Sequence, residues 1–415
     1  IRPRERIVMK NILIAFSIIV LTACSADDAS SAGKSESAET RDREAPHLEP
    51  AFAGQTRAPL PSATDEWSLE TVVKGLEHPW AIEFLPDGTM LVTERPGRLR
   101  HISADGQKSA PITGVPRVDA RNQGGLLDVA IAPDFESSRL IFLSFAEPQG
   151  ESKNNTALAR AGLSEDRSAL EDVEIIFSQQ PAVNSGRHFG SRIVFANDDT
   201  LWLTMGDRGG HPSRRNAQDP GNHIGSVVRL HFDGSVPADN PFVDEGGKRA
   251  EIFSYGHRNI QAAATDADGN FWTVEHGPRG GDELNLTEAG KNYGWPVISY
   301  GIEYSGGAIY EGRTQAEGME QPIYFWDPVI APSGMDFYSG NALPAWQGDL
   351  FVGGLREQLV SRLVLENARV TGEEWLPIGQ RVRDVKTGPD GFIYLVTDAG
   401  NGQVLRIVPG SRVRG

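Results

Sequence analysis

In RIVFANDDTLWLTMGD, residues 192–207, β-branched and aromatic side chains at 192–195 and 201–204 flank Asn197-Asp198-Asp199. The middle three are turn residues, so the stretch reads as one antiparallel hairpin. A register centred on Asp198 and Asp199 brings His188, ahead of the first arm, within about two residues of facing Asp207 at the same open end. An aspartate beside a histidine fixes the ring's tautomer and supports its positive form, which is how a general base is built. The alternative, on these residues alone, is a solvated loop histidine beside a turn aspartate.

The same unit, an apolar alternating run, a turn, and a second apolar run often ending in an acid or glycine, returns along the chain. It is found as AIEFLPDGTMLVTE (81–94), DVAIAPDFESSRLIFLSFAE (128–147), RIVFANDDTLWLTMGD (192–207), AAATDADGNFWTVEH (262–276), LPAWQGDLFVGG (343–354) and VKTGPDGFIYLVTD (385–398). Asp-Gly turns between alternating runs suit tight hairpins of half-buried strands. Six recurrences predict an all-β fold, a six-bladed β-propeller of four-stranded antiparallel blades. A pair of β-sandwiches would not explain the recurrence. In a propeller, loops from distant blades converge at one end of the axis.

Composition narrows the class. The 415 residues are 39% hydrophobic with 46 Gly, 26 Pro and 8 Trp, as in a turn-rich globular protein. A formal net charge of -16 excludes a non-specific nucleic-acid binder, and any anionic ligand needs local arginines. After Met9 and Lys10, the apolar NILIAFSIIVLTA (11–23) is short for a membrane span but suits a signal-peptide core. It closes in LTAC, which resembles a bacterial lipobox, and Cys24 is the only cysteine, so no internal disulfide forms. Residues 1–8 read as an upstream extension and 1–24 as a lipoprotein signal. Residues 25–65, rich in Ser, Ala, Asp, Glu and Pro, read as a disordered tether, and 66–410 as the propeller domain. Ser25 after the cysteine resembles the signal for the outer membrane, giving a lipid-anchored periplasmic protein.

The string EHGPRGGDELNLTEAGKNYGWP (275–296) bends its backbone repeatedly beside carboxylates, a donor set that suits Ca2+ without matching an EF-hand. A Gly-rich surface loop is the alternative. NQGGLLD (122–128) contributes Gln123, SYGHRNIQ (254–261) Arg258 and Asn259, GGLREQ (353–358) Arg356, and RVRDV (381–385) Arg381 and Arg383. The alternate spacing of Arg381 and Arg383 puts both on one strand face, where two planar forks suit an anion's carboxylates.

Taken in order, GLEHPWAIEFLPDG, QGGLLDVAIAPDF, GRHFGSR, DGSVPADNPF, YGHRNIQ, EHGPRGGDE and GKNYGWP resemble the glucose/sorbosone dehydrogenases, soluble quinoprotein sugar dehydrogenases, over residues 66–409. The likeness is closer to the bacterial aldose sugar dehydrogenases. It implies a six-bladed propeller using pyrroloquinoline quinone (PQQ) and Ca2+ to oxidise an aldose at C1, as monomer or homodimer, with an external electron acceptor. By position it implies His188 as general base, Asp207 as its orienting acid and Arg258 beside the reacting quinone oxygen. It further implies Gln123 and Asn259 as polar contacts to PQQ, and Arg356, Arg381 and Arg383 around the PQQ carboxylates. The carbonyls of Gly277 and Pro278 would hold the PQQ-bound Ca2+, and Glu283 with the Tyr293 backbone a second, structural Ca2+. Ser191 stands where the family commonly has Gly, and Arg356 where it often has Lys. The long loops of the glucose-specific branch are missing, which favours a more open site. A Ca2+-dependent lactonase or esterase, or a non-catalytic propeller binding glycans or envelope proteins, are the rival classes on fold alone.

The lipobox reading makes Cys24→Ala release the protein from the membrane fraction. Fractionation of expressing cells checks this, and a wholly soluble wild-type protein with no lipid on Cys24 overturns it.

Overall fold

Second strands such as Met90–Glu94, Thr200–Thr204 and Ile393–Thr397 are buried at every position, because neighbouring sheets cover both of their faces. Outer strands such as Leu170–Ser178 turn a solvated face outward. In the computed structural model, which describes residues 36–210 and 213–410, the strands so patterned form six four-stranded antiparallel sheets among the described residues. Their innermost strands, Pro79–Phe84, Leu126–Ile131, Ile193–Phe195, Ile260–Thr265, Pro332–Phe337 and Val382–Thr387, neighbour one another about a central axis. This is the expected six-bladed propeller. Five sheets run outward in chain order. The sixth takes Val382–Thr387, Ile393–Thr397 and Gly402–Pro409 from the C-terminal end and Trp67–Leu76 from the other, pairing Trp67 with Pro409 and Leu76 with Gly402. The ring is thus closed by its first and last strands.

The hairpin at 192–207 pairs Ile193 with Leu203 and Phe195 with Leu201, which centres its turn on Asp198. Five of the six recurrences read from sequence contain the inner two strands of a blade. The sixth, at 343–354, holds a short 3-10 turn (Pro344–Trp346) and only the second strand, Leu350–Gly354. The inner strand of that blade lies upstream at Pro332–Phe337. Its Pro332 and Gly334 mask the strand pattern, and the pairing is interrupted between Pro332 and Met335.

A charged node sits on the axis. Arg192 donates to Asp128 Oδ1 at 3.0 Å and lies 3.1 Å from Asp384 Oδ1, so it bridges carboxylates from two other blades. The free oxygens take main-chain N–H groups, Ile193 to Asp128 at 2.7 Å and Ile82 to Asp384 at 2.9 Å. The guanidinium also lies 4.4 Å from the ring centroid of Trp80.

The expected tether needs correction over residues 36–65, which are ordered against the propeller. Gln55 is fully buried, donating to the Pro322 carbonyl at 2.8 Å while its own carbonyl accepts from Phe325. Ala58 donates to Tyr324 Oη at 3.0 Å, and Arg43 reaches the buried Asp327. Composition misleads here because the segment is held by hydrogen bonds to buried polar groups more than by its own apolar surface. The expected signal segment, Cys24 and residues 25–35 lie outside the described residues. Among those described, no helix is long and apolar enough to cross a membrane.

Candidate active site

His188 precedes the inner strand of its blade and Asp207 follows the second, so one hairpin delivers both to the same end of the axis. The backbone between them coils tightly, with left-handed φ at His188 (50°), Gly190 (65°) and Ser191 (96°). Gly206 packs so closely on this turn that a Cβ there would meet the His188 carbonyl oxygen at 2.3 Å. The result is a hydrogen bond of 2.5 Å between His188 Nδ1 and Asp207 Oδ1. Asp207 is 1% exposed and also accepts from Trp295 Nε1 at 2.8 Å and the Gly209 N–H at 2.7 Å. Burial opposes its charge, but His188, with help from Arg258 and Gly209, holds its carboxyl below the usual range. An ionised Asp207 can only accept, so Nδ1 carries the proton and Nε2 is left as the basic nitrogen. Burial, with Arg258 adding to it against the pull of Asp207, lowers the His188 pKa below 6.5 and keeps the ring neutral.

Gln123 and Asn259 fasten this turn from neighbouring blades. Gln123 Oε1 accepts the His188 N–H at 2.8 Å, and Asn259 Oδ1 accepts the Gly190 N–H at 3.2 Å. Both line a cavity of about 320 Å3 together with Trp80, Arg95, Arg381 and Arg383, a size within the usual range for a small-molecule site. Arg381 and Arg383 flank and open the strand Val382–Thr387 and face the cavity together. Arg383 donates to Asp398 Oδ2 at 2.9 Å and to Gln261 Oε1 at 3.1 Å, and its Nε is buried without a partner, as is Arg95 Nε. Burial opposes the charge of Asp398, yet Arg383 and His78 hold its carboxyl well below the usual range. Three arginines against one carboxylate, two of them with orphaned donors, fit a planar polyanion such as PQQ.

Arg258 lies at the edge of a second, smaller space. It donates to the His276 carbonyl at 2.8 Å, takes Glu275 Oε2 on its main-chain N–H at 2.5 Å, and stands 5.3 Å from the Trp295 ring centroid. Burial, aided by the Arg258 charge, pushes His276 down to about 3, so its neutral ring bonds the Pro332 carbonyl at 2.6 Å. Gly277, Pro278, Glu283 and Tyr293 line this one space of about 10 Å3 with Glu275, room for about a single water or ion. Asn285, bonded to Glu275 at 3.3 Å, has a buried amide oxygen with no donor. Among the described residues no three His, Cys, Asp or Glu side chains converge on a metal position, so a cation here relies on main-chain oxygens. Carboxylate, amide and carbonyl oxygens are a donor set that fits Ca2+.

Of the cofactor and metal residues singled out from sequence, Arg356 alone lines neither cavity. Its side chain is half exposed, 3.5 Å from Glu357, and its neighbour Leu355 lines the larger cavity instead. His188 and Asp207 line neither as well, and it is the adjoining Phe189 and Gly190 that line the larger one. Sequence reading gave no role to Trp295, Arg95, His78, His276 or Asp398. The signal was available for Asp398, which closes VTD at the end of a second strand as Asp207 closes MGD.

A profile of the glucose/sorbosone dehydrogenases matches residues 76–406. The chain is 45% identical over 347 residues to the aldose sugar dehydrogenase YliI of Escherichia coli (strain K12), spanning 82% of this chain and 93% of that one. The crystal structure of the soluble aldose sugar dehydrogenase from Escherichia coli in its apo form superposes with a TM-score of 0.80 at 44% identity, covering 83% and 100% of the two chains. The PQQ-bound form of the aldose sugar dehydrogenase from Streptomyces coelicolor gives 0.68 at 26% identity, covering 83% and 100%.

Ser191, fully buried at φ 96°, holds a conformation that favours glycine. Ser191→Gly relieves that strain but loosens the unfolded chain, for a net gain of about 1 kcal/mol. A rise in the urea midpoint checks this, and an unchanged or lower midpoint overturns it.

Proposed function

The chain belongs to the glucose/sorbosone dehydrogenase family, and from that premise we propose that it oxidises an aldose at C1 to the lactone, using PQQ and Ca2+. The observation that carries this reading is the Asp207-anchored His188, bonded to Gln123 and followed in the chain by Phe189 and Gly190; these last three line one cavity with Arg95, Arg381 and Arg383. PQQ, when bound, supplies the two-electron acceptor for the hydride lost from C1, chemistry that no side chain offers. Gln123, Asn259, Arg381 and Arg383 would hold the quinone, with Arg95 beside them, while Arg356, half exposed outside the cavity, would add only its charge. The carbonyls of Gly277 and Pro278 would hold its Ca2+; Glu283 and the Tyr293 main chain, expected from sequence to hold a second ion, line the same small space and would serve that one Ca2+.

His188 Nε2 takes the proton of the C1 hydroxyl, and Asp207 stabilises the imidazolium that results. With that proton and a hydride removed, the C1–O bond becomes a carbonyl and the ring a lactone. Arg258, held by the His276 carbonyl and the Trp295 ring, is a fixed positive charge. It offers most to negative charge that builds only in the transition state.

Replacing His188 by Ala is expected to lower kcat by about 10² to 10⁴, the usual worth of a positioned base, while PQQ still binds. Because burial sets the His188 pKa below 6.5, the base form dominates at neutral pH and kcat/KM falls only as pH drops below that value. A stopped-flow pH profile of PQQ-saturated enzyme measures both, and an acid limb above 6.5 contradicts the assignment.

Arg383→Ala is expected to weaken PQQ binding roughly tenfold to a hundredfold, the worth of a charge-assisted bond at about 1.4 kcal/mol per decade. Titration of apo-protein with PQQ in excess Ca2+ reads this. If affinity holds while the sugar KM rises, the arginines face substrate.

A further inference from the structure

Residues 36–65 lie outside the span matched by the family profile, 76–406, yet they reach the 277–281 loop. Asp327 follows the strand Tyr324–Trp326 and is 1% exposed. Among the described residues, the partners of its carboxylate all come from this arm: Arg43 Nε at 3.3 Å and the main-chain N–H groups of Glu44 at 2.8 Å and Ala45 at 3.1 Å. Arg57 donates to the Asp327 carbonyl at 3.1 Å. The same Asp327 lies under the loop, since a Cβ on Gly280 would stand 2.8 Å from its Oδ1 and Gly281 donates to the Trp326 carbonyl at 2.9 Å.

The arm also grips the loop from its outer side. Glu44 Oε2 accepts from Arg279 Nε at 2.6 Å and Nη2 at 2.5 Å. Ala45 and Leu48 pack on Ile302, which exchanges both main-chain bonds with Arg279, at 3.1 and 2.9 Å. The Glu44–Arg279 pair is partly exposed and adds register more than energy. The weight falls on Asp327, whose buried charge is strongly destabilising without the arm's donors.

We infer that the arm is a clasp that positions the 277–281 loop, with Asp327 as the positioning residue through which it acts. Its consequence for the metal rests on reading the Gly277 and Pro278 carbonyls as Ca2+ ligands. A cation held by main-chain oxygens binds tightly only where those oxygens are already fixed, and groups behind the ligands are typically worth about 10- to 100-fold in metal affinity.

The test uses the full chain with Arg43→Ala and Ala45→Pro combined, which removes a side-chain and a main-chain donor to Asp327. Phe52→Ala, which loses the contact to Arg369 (4.0 Å) on an outer strand, is the control for loosening the arm elsewhere. Hydrogen exchange is followed across 39–58 and 275–283, and Ca2+ affinity by calorimetry. In the double variant, exchange is expected to rise in both segments and the Ca2+ dissociation constant to increase about tenfold or more, with the control near wild type in 275–283 and in affinity. Release of the arm with 275–283 still protected overturns the clasp, and so does an arm that stays protected without those donors. Should wild-type protein bind no Ca2+, the metal reading fails, and exchange at 275–283 alone decides the clasp.

Discussion

Arg192 is the constraint on which the centre of the molecule rests. A propeller brings six inner strands side by side, and the buried polar groups on their inward edges need partners there. Arg192 is that partner for Asp128 and Asp384, whose second oxygens take the N–H groups of Ile193 and Ile82. Removing the arginine would strand two buried carboxylates, a loss on the order of 3–5 kcal/mol. The same guanidinium carries the Trp80 ring, which lines the cavity above it. The site's floor and the ring's centre are therefore one piece.

Above that floor the protein arranges charge against its own average. The chain carries a formal net charge of -16, yet the cavity gathers Arg95, Arg381 and Arg383 around Asp398. Asp398 cancels part of this charge but holds the forks of Arg381 and Arg383 in place, pre-paying their ordering. Asp207 performs the matching task for His188. Each reacting or binding side chain is thus fixed by a partner from a different strand end.

The hairpins were readable because apolar runs flank turns built on Asp with Gly, Asn or Pro, and the same regularity placed His188 and Asp207 together. The inner strand at Pro332–Phe337 was not, since Gly334 is needed where Asp384 Oδ1 approaches within 2.1 Å of any Cβ. That need arises from a blade distant in sequence. Asp398 and Arg95 escaped notice because their meeting depends on ring closure, although both stand at the hairpin ends where acids recur. The arm at 36–65 looked too polar to fold, and by itself it is. Its order comes from Asp327 and Gln55, whose burial no local pattern announces.

The closing blade has a consequence for how the molecule is made. Trp67–Leu76 is synthesised before every other strand among the described residues, but its sheet neighbour there, Gly402–Pro409, comes after all of them. Loop closure of that length adds little to the equilibrium cost, since each doubling is worth only about 0.6 kcal/mol. Its effect is on timing: until the final strand arrives, the first waits as an unpaired edge that invites association with other chains. A chain that emerges slowly is therefore most vulnerable just before Gly402–Pro409 appears. Losing Gly402–Pro409 alone would leave the other five blades intact and still yield a ring unable to shut.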